Sequence, residues 1–365
     1  MIVVDAHEDL AWNALTFGRD YRRSVEETRR NERASDIPSR NGSAMIGWPE
    51  WVEGRVGLIF GTLFAAPIRW QEGPWDKLCY TDQEQAHSLY MHQWSYYQRL
   101  FAEHPRQFAP VTCKPELGEL LKGWNNGEPD QAPVGFVLLM EGADAVRDAQ
   151  DLHLWHSKGV RILSLSWAGT RYAGGTGEPG PLTADGRNLL REMEALGMIL
   201  DLSHLSEDGA LEALDCYDGE VVITHTAPLE LAPNRQKPER LVTAPVIEHI
   251  GERDSVLGIL LANHFLKDGW TPAMGREAVN LEDIAVSIDS ICQSLGSARH
   301  VGIGSDFEGG FGLEKVPDGL DSVADIRLIG EALAPRGYSE ADIEAILGGN
   351  WLRILERSLP ESVNA

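Results

Sequence analysis

The chain is poor in cysteine. It has four in 365 residues, Cys79, Cys113, Cys216 and Cys292, widely spaced and with no CxxC pair. That argues against a disulfide scaffold and a structural zinc ribbon, and it suits a reducing compartment. Long apolar runs are also missing; no stretch approaches the roughly 18 residues of a transmembrane helix. The start, Met1-Ile2-Val3-Val4-Asp5-Ala6-His7, lacks the basic residues and apolar length of a signal peptide. The last residues, Leu359 to Ala365, carry no apolar tail for a lipid anchor. The expected location is therefore cytoplasmic, away from membrane. Basic charge is scarce, 32 Lys and Arg against 56 Asp and Glu, for a net charge of -24. Such a chain is not expected to bind nucleic acid or anionic membrane as its main task.

Apolar material is plentiful, at 43% of residues, which is enough for a large core. Eight short runs rich in Val, Ile and Leu recur between helix-like segments: Ile2 to Ala6, Val56 to Phe64, Val134 to Met140, Val160 to Leu165, Met198 to Leu202, Val221 to Thr224, Val256 to Ala262 and Val301 to Ser305. Runs without polar alternation suit parallel strands buried on both faces. Helices are expected over Asp82 to Phe101, Leu189 to Leu196, Leu281 to Leu295 and Ser339 to Leu355, the second and third stopped by Gly197 and Gly296. Strand–helix alternation repeated eight times reads as an α/β protein with a (β/α)8 TIM-type barrel. A doubly wound open sheet is the alternative, but its glycine-rich fingerprint is absent after the first run, where Asp5-Ala6-His7-Glu8-Asp9 stands. No proline-rich linker divides the chain, so residues 1–365 are expected to form one domain. Arg19 to Met45 reads as a polar, solvated excursion. Ala168 to Asp185, with five glycines, reads as a long loop after the fourth strand on the side where barrels carry function.

Hard ligands stand where these runs finish. In His7-Glu8-Asp9, residues two apart share a side of an extended chain, so His7 and Asp9 can grip one metal while Glu8 points elsewhere. Glu141 follows the third run, His204 the fifth, His225 the sixth and Asp306 the eighth. Each alone has a bland reading as a rim ion pair, a core histidine or a helix cap. Together they lie at the C-terminal strand ends, where barrel enzymes place their chemistry. Nitrogen and oxygen ligands without thiolate suit Zn2+, with Mn2+, Co2+ or Fe2+ as substitutes. Five ligands exceed what one catalytic zinc with an open position takes. A site for two ions per chain, with one carboxylate shared, fits better and would generate hydroxide from water at neutral pH. Asp306 remains as a carboxylate able to take and return a proton.

These segments resemble the membrane (renal) dipeptidase family of the metal-dependent amidohydrolase superfamily. Asp5-Ala6-His7-Glu8-Asp9-Leu10 is similar to its DGHNDL-type opening, Met140-Glu141-Gly142 to its EG motif, and Thr224-His225-Thr226 to its SHS. The longest match runs from Gly180 to His204. Gly302 to Gly309, GIGSDFEG, is similar to GxGSDFDG, and Gly348 to Leu355 to the GxNxxRxx ending. The resemblance implies a zinc dipeptidase. His7 and Asp9 would bind one ion, His204 and His225 the other, and Glu141 would bridge them. Asp306 would pass a proton from the attacking water to the leaving amine. Arg235, in a stretch similar to the family's RNxPD, would hold the substrate's terminal carboxylate, with Arg240 behind it. A small-molecule substrate and a homodimer are also implied. One departure stands out: Leu163-Ser164-Leu165-Ser166-Trp167-Ala168 replaces the family's LTHN, so Trp167 occupies the place of a histidine that contacts the scissile carbonyl. This opens a second expectation, an amidohydrolase of another substrate class acting on an N-acyl amino acid, lactam or ester. His264 is read as a packing or solvated residue in preference to a pocket group, and His153 and His156 receive no role.

Overall fold

A computed structural model describes residues 1–126, 132–235 and 237–362. Eight parallel strands form a closed barrel: β1 (Val3–Glu8), β2 (Val56–Phe64), β3 (Val134–Glu141), β4 (Val160–Ser164), β5 (Ile199–Asp201), β6 (Val221–Thr226), β7 (Val256–Ile259) and β8 (Val301–Ile303). Neighbours follow chain order from β1 to β8, β8 pairs back with β1 through Asp5 opposite Ile303, and β2 pairs with β3 from Leu58↔Gly135 to Phe64↔Glu141. A further short strand, Phe108–Pro110, lies along β3. The eight apolar runs are these eight strands. Every residue of β1, β3, β4 and β6 is buried, as strands covered on both faces must be.

The differences from expectation lie at the ends. β1 runs on to Glu8 and β6 to Thr226, because their terminal polar residues are as buried as the apolar ones before them. Helix α1 (Leu10–Phe17) follows β1 directly, with Asp9 at its start. The Arg19 to Met45 segment is not a solvated excursion. It contains α2 (Val25–Glu32) and a short helix at Ile37–Asn41, and it buries Arg19 against Glu32 and Glu308. The long helix α3 (Gln83–Glu103) starts where Asp82 accepts from the Gln85 amide. Helix α4 (Ala184–Ala195) begins five residues before the apolar pattern does, capped by Thr183. Helix α5 (Leu281–Leu295) closes on Gly296 at φ 64, a left-handed conformation that favours glycine. The expected last helix is broken by a wide turn at Ala345–Gly349 before α6 (Asn350–Ser358). There Gly348 passes so close to the Ile2 carbonyl that a side chain would collide with it. In α6, Asn350 donates to the Val301 carbonyl and Trp351 to that of Ile303, tying the helix to β8.

The glycine-rich stretch after β4 folds into an antiparallel hairpin, Ala173–Gly175 with Glu178–Leu182, over the C-terminal end of the barrel. The four cysteines are free thiols. No described helix is long and apolar enough to cross a membrane.

Candidate metal centre

The chain must bury charge wherever its strands end in His, Asp and Glu. Burial alone would leave these groups unpaired, so their mutual geometry decides what they can do. His7, Asp9, Glu141, His204, His225 and Asp306 meet at one end of the barrel. His7 Nε2 lies 3.6 Å from Glu141 Oε1 and 3.9 Å from both Asp9 Oδ2 and Asp306 Oδ1. The same Glu141 oxygen is 2.9 Å from His204 Nε2 and 3.5 Å from His225 Nε2. Ligand atoms of His7, Glu141 and His225 fall within 4.8 Å of one another, and so do those of His7, Asp9 and Asp306.

The protonation preferences fit a cation here. Burial, and then Arg240, push the His7 imidazole well below its ordinary value. His204 and His225 are pushed the same way, first by burial. All three rings are therefore neutral, each with a lone pair to give. Glu141 is driven well upward by burial and by the charges of Asp9 and Asp306, Asp306 by burial and Asp9, and Asp9 by burial to about 6. Crowded carboxylates that resist ionisation beside neutral imidazoles form a donor set for divalent cations. Both ring nitrogens of His7 are buried without a hydrogen-bond partner. A buried polar atom of this kind is costly unless something binds it.

A supporting layer of hydrogen bonds orients these side chains. Thr224 Oγ1 donates to Asp201 Oδ2 at 2.7 Å, so its one proton is spent and His225 Nδ1, 3.0 Å away, must donate to it. That leaves His225 Nε2 as the bare nitrogen facing Glu141. His204 Nδ1 contacts Thr176 Oγ1 at 2.8 Å, from the hairpin after β4, and Thr62 donates to Asp9. Asp5 holds the Ser305 amide at 2.7 Å, and Trp51 donates to Glu8, which indeed points away from His7 and Asp9. Glu308 accepts from Tyr21 and from the Met45 and Ile46 amides while pairing with Arg19 at 2.8 Å. His204, Asp306 and Glu308 all adopt positive φ, at 69°, 59° and 68°. Such strain in side-chain-bearing residues persists only where the surroundings enforce it. A side chain at Gly309 would strike the carboxylates of Asp306 and Asp9.

A model of the membrane dipeptidase family, peptidase family M19, matches residues 1–362. The chain belongs to that family. It is 31% identical over 61% of its length to the dipeptidase aclJ of Aspergillus oryzae, covering 51% of that protein. It is 30% identical over 61% of its length to a protein from the region 5' of pqqA in Klebsiella pneumoniae, covering 82% of it. The chain thus spans about half the length of the fungal relative. Among solved structures, the metallopeptidase of Rhodobacter sphaeroides bound to a phosphinate mimic of L-Ala-D-Ala superposes with a TM-score of 0.78 at 23% identity, over 98% of this chain and 99% of that one. A probable dipeptidase of Pseudomonas aeruginosa, PvdM, gives 0.79 at 18%, over 99% and 96%. These two likenesses establish the shared fold.

Beside this cluster of histidines and carboxylates in the family member lies a cavity of about 320 Å³. Trp167 forms part of its wall, half-buried, 5.2 Å from the Phe64 ring, 5.8 Å from Trp70 and 6.0 Å from His204. Arg235 lines the far side. Its Nη1 donates to the His264 carbonyl at 2.5 Å, its guanidinium stacks 3.7 Å over Phe265, and burial with the nearby Arg240 charge lowers it to about 10. Gln236, next in that stretch, lies outside the described residues. Arg240 is buried deeper, donating to the His225 carbonyl at 3.0 Å. His264 does reach the cavity, contrary to the packing role expected for it; burial holds its ring neutral, with a value of about 3. Sequence reasoning missed Thr62, Thr176, Thr224, Asp201, Glu308 and Arg19. Asp201, Thr224 and Glu308 lie inside motifs already quoted, where a carboxylate or hydroxyl beside a ligand was the available signal.

Proposed function

We propose that this chain is a dipeptidase with a binuclear metal centre. Membership of the family implies a metal cofactor. His7 and Asp9 would hold one ion, His204 and His225 the other, and Glu141 would bridge them. The observation that carries this reading is the convergence of three imidazoles on a single Glu141 carboxylate whose neighbours have no other partner for His7. When bound, Zn2+ or a similar ion supplies Lewis acidity that polarises the scissile carbonyl and acidifies water.

The remaining work falls to the chain. In the hydrolysis, water adds its hydroxyl to the amide carbon and the C–N bond breaks. One proton must travel from that water to the departing nitrogen. Asp306 is the carrier, since its burial beside Asp9 raises its affinity for a proton without tying it to a hydrogen-bond donor. Arg235 is the planar cation on the cavity wall suited to a terminal carboxylate. Thr224 and Thr176 hold their histidines in the ligating orientation. Trp167, at the wall beside His204, supports the second reading, an amidohydrolase for N-acyl amino acids, lactams or esters on the same centre.

A panel of L,L-, L,D- and D,D-dipeptides beside N-acyl amino acids, assayed on metal-loaded protein, tests both readings. Hydrolysis confined to dipeptides is expected. Turnover of N-acyl amino acids alone would replace the first reading with the second.

A further inference from the structure

Away from Asp9, Glu141 and Asp306, the cavity wall gathers cations in a strongly acidic protein. Four cations line it, Arg235, Lys237, Lys315 and the deeper Arg240, and none has a carboxylate within ion-pair distance among the described residues. Arg235 spends one nitrogen on a backbone carbonyl and leaves Nε without a partner. Lys237 places Nζ 4.1 Å over the Trp70 ring, a contact that leaves its three donors free. Lys315 is half-buried on the cavity lining and, with Arg235, helps hold His264 neutral. Besides Asp9, Glu141 and Asp306, two acidic residues line the cavity. Asp76 is buried and already accepts from the Cys79 thiol at 3.2 Å. Glu72 is exposed and answers at most one cation.

A C-terminal carboxylate accounts for Arg235. It leaves Lys237, two positions along the same loop, and Lys315. In a chain of net charge -24, unpaired cations gathered at one cavity are a selective feature of that cavity. Resting on the dipeptidase reading above, we infer that the preferred substrates carry a second anion: dipeptides whose C-terminal residue is Asp or Glu. Arg235 takes the main-chain carboxylate, Lys237 takes the side-chain carboxylate, and Lys315 adds positive potential that draws the dianion in. Neutral isosteres keep the shape but forfeit one charge-assisted contact.

The test compares Ala-Glu with Ala-Gln on the metal-loaded protein. Ala-Glu should lead in kcat/KM by about tenfold, the size of one such contact. Raising the salt concentration should shrink the ratio, because the cations are partly exposed. Lys237→Gln should bring the ratio close to one, and Lys315→Gln should lower it by a smaller factor. Binding of Ala-Glu and Ala-Gln to the Asp306→Asn variant, followed by calorimetry, should show the same preference without turnover. Equal use of both dipeptides, or a ratio untouched by Lys237→Gln, overturns the inference while leaving the dipeptidase reading intact. A preference for Glu-Ala over Gln-Ala with none for Ala-Glu overturns it as well. If neither dipeptide is hydrolysed while N-acyl amino acids are, both readings fall together.

Discussion

His204 and His225 aim their Nε2 atoms at each other across 3.1 Å, with the same oxygen of Glu141 2.9 Å from the first and 3.5 Å from the second. His225 presents a lone pair at Nε2, because it already donates through Nδ1 to Thr224, and His204 presents one too when its Nδ1 donates to Thr176. A cation between them turns the repulsion of two such lone pairs into ligation. The arrangement accounts for why burial is tolerated at three histidines and three carboxylates that share one small volume.

Glu141 is the common point of that arrangement, so its removal should be felt at both ion positions. Two divalent ions per chain are expected by elemental analysis of the wild type. Glu141→Gln should weaken both sites by more than the ~10–100-fold typical of losing an outer-layer partner. His7→Ala should weaken mainly one. Full activity with a single tightly bound ion, indifferent to Glu141→Gln, would remove the binuclear centre.

Asp306→Asn keeps the size of the side chain and removes its ability to carry a proton. With metal content and melting temperature unchanged, kcat should fall by roughly 10²–10⁴. Near-normal turnover in this variant would take Asp306 out of the mechanism.

The barrel was legible because a strand buried on both faces must be apolar throughout, and eight such runs stand in order from Val3 to Ile303. The meeting of His7, Asp9, Glu141, His204, His225 and Asp306 was legible because they end those runs. Arg19 was not. Its partner Glu308 lies near the other end of the chain, and nothing in a polar arginine-rich stretch marks which arginine is buried. Thr176 escaped for a related reason: it reaches His204 from a hairpin whose sequence is rich in glycine and carries no periodicity. The cavity lysines belong to loops as well, and loop residues meet only once the barrel has brought the loops together.

Thr224 offers a test of that supporting layer. Its hydroxyl relays Asp201 to His225, so Thr224→Val should free the ring to rotate or change tautomer. Metal affinity should drop by about 10–100-fold in a chelator competition, with the fold retained by circular dichroism. Thr224→Ser should restore most of it. Unchanged affinity in the valine variant would show that packing alone orients His225.

Arg235→Met should hurt dipeptides with a free terminal carboxylate by about 1.5–3 kcal/mol in kcat/KM, the loss of one charge-assisted contact. Carboxamide-capped analogues, which offer no carboxylate, should suffer much less. Equal losses on both would mean that the guanidinium serves only to pack on Phe265, over which it stacks at 3.7 Å.

Trp167 stands in the cavity wall beside His204, and its surroundings explain what a substitution should do. The indole is held between Phe64 and Trp70 and stands beside His204, so it narrows the cavity next to the ligands. An imidazole at this position would add a basic nitrogen and open space at once. A preorganised donor to a developing oxyanion is worth ~10²–10³ in kcat, but only for substrates whose carbonyl lies against this wall. Trp167→His should therefore change the relative kcat/KM of different substrates and leave metal content alone. A dipeptide and N-acyl amino acid panel run on both proteins decides the matter. If the rank order of substrates stays fixed while all rates move together, Trp167 only packs, and specificity has to come from the loops that carry Trp70, Arg235 and Lys237.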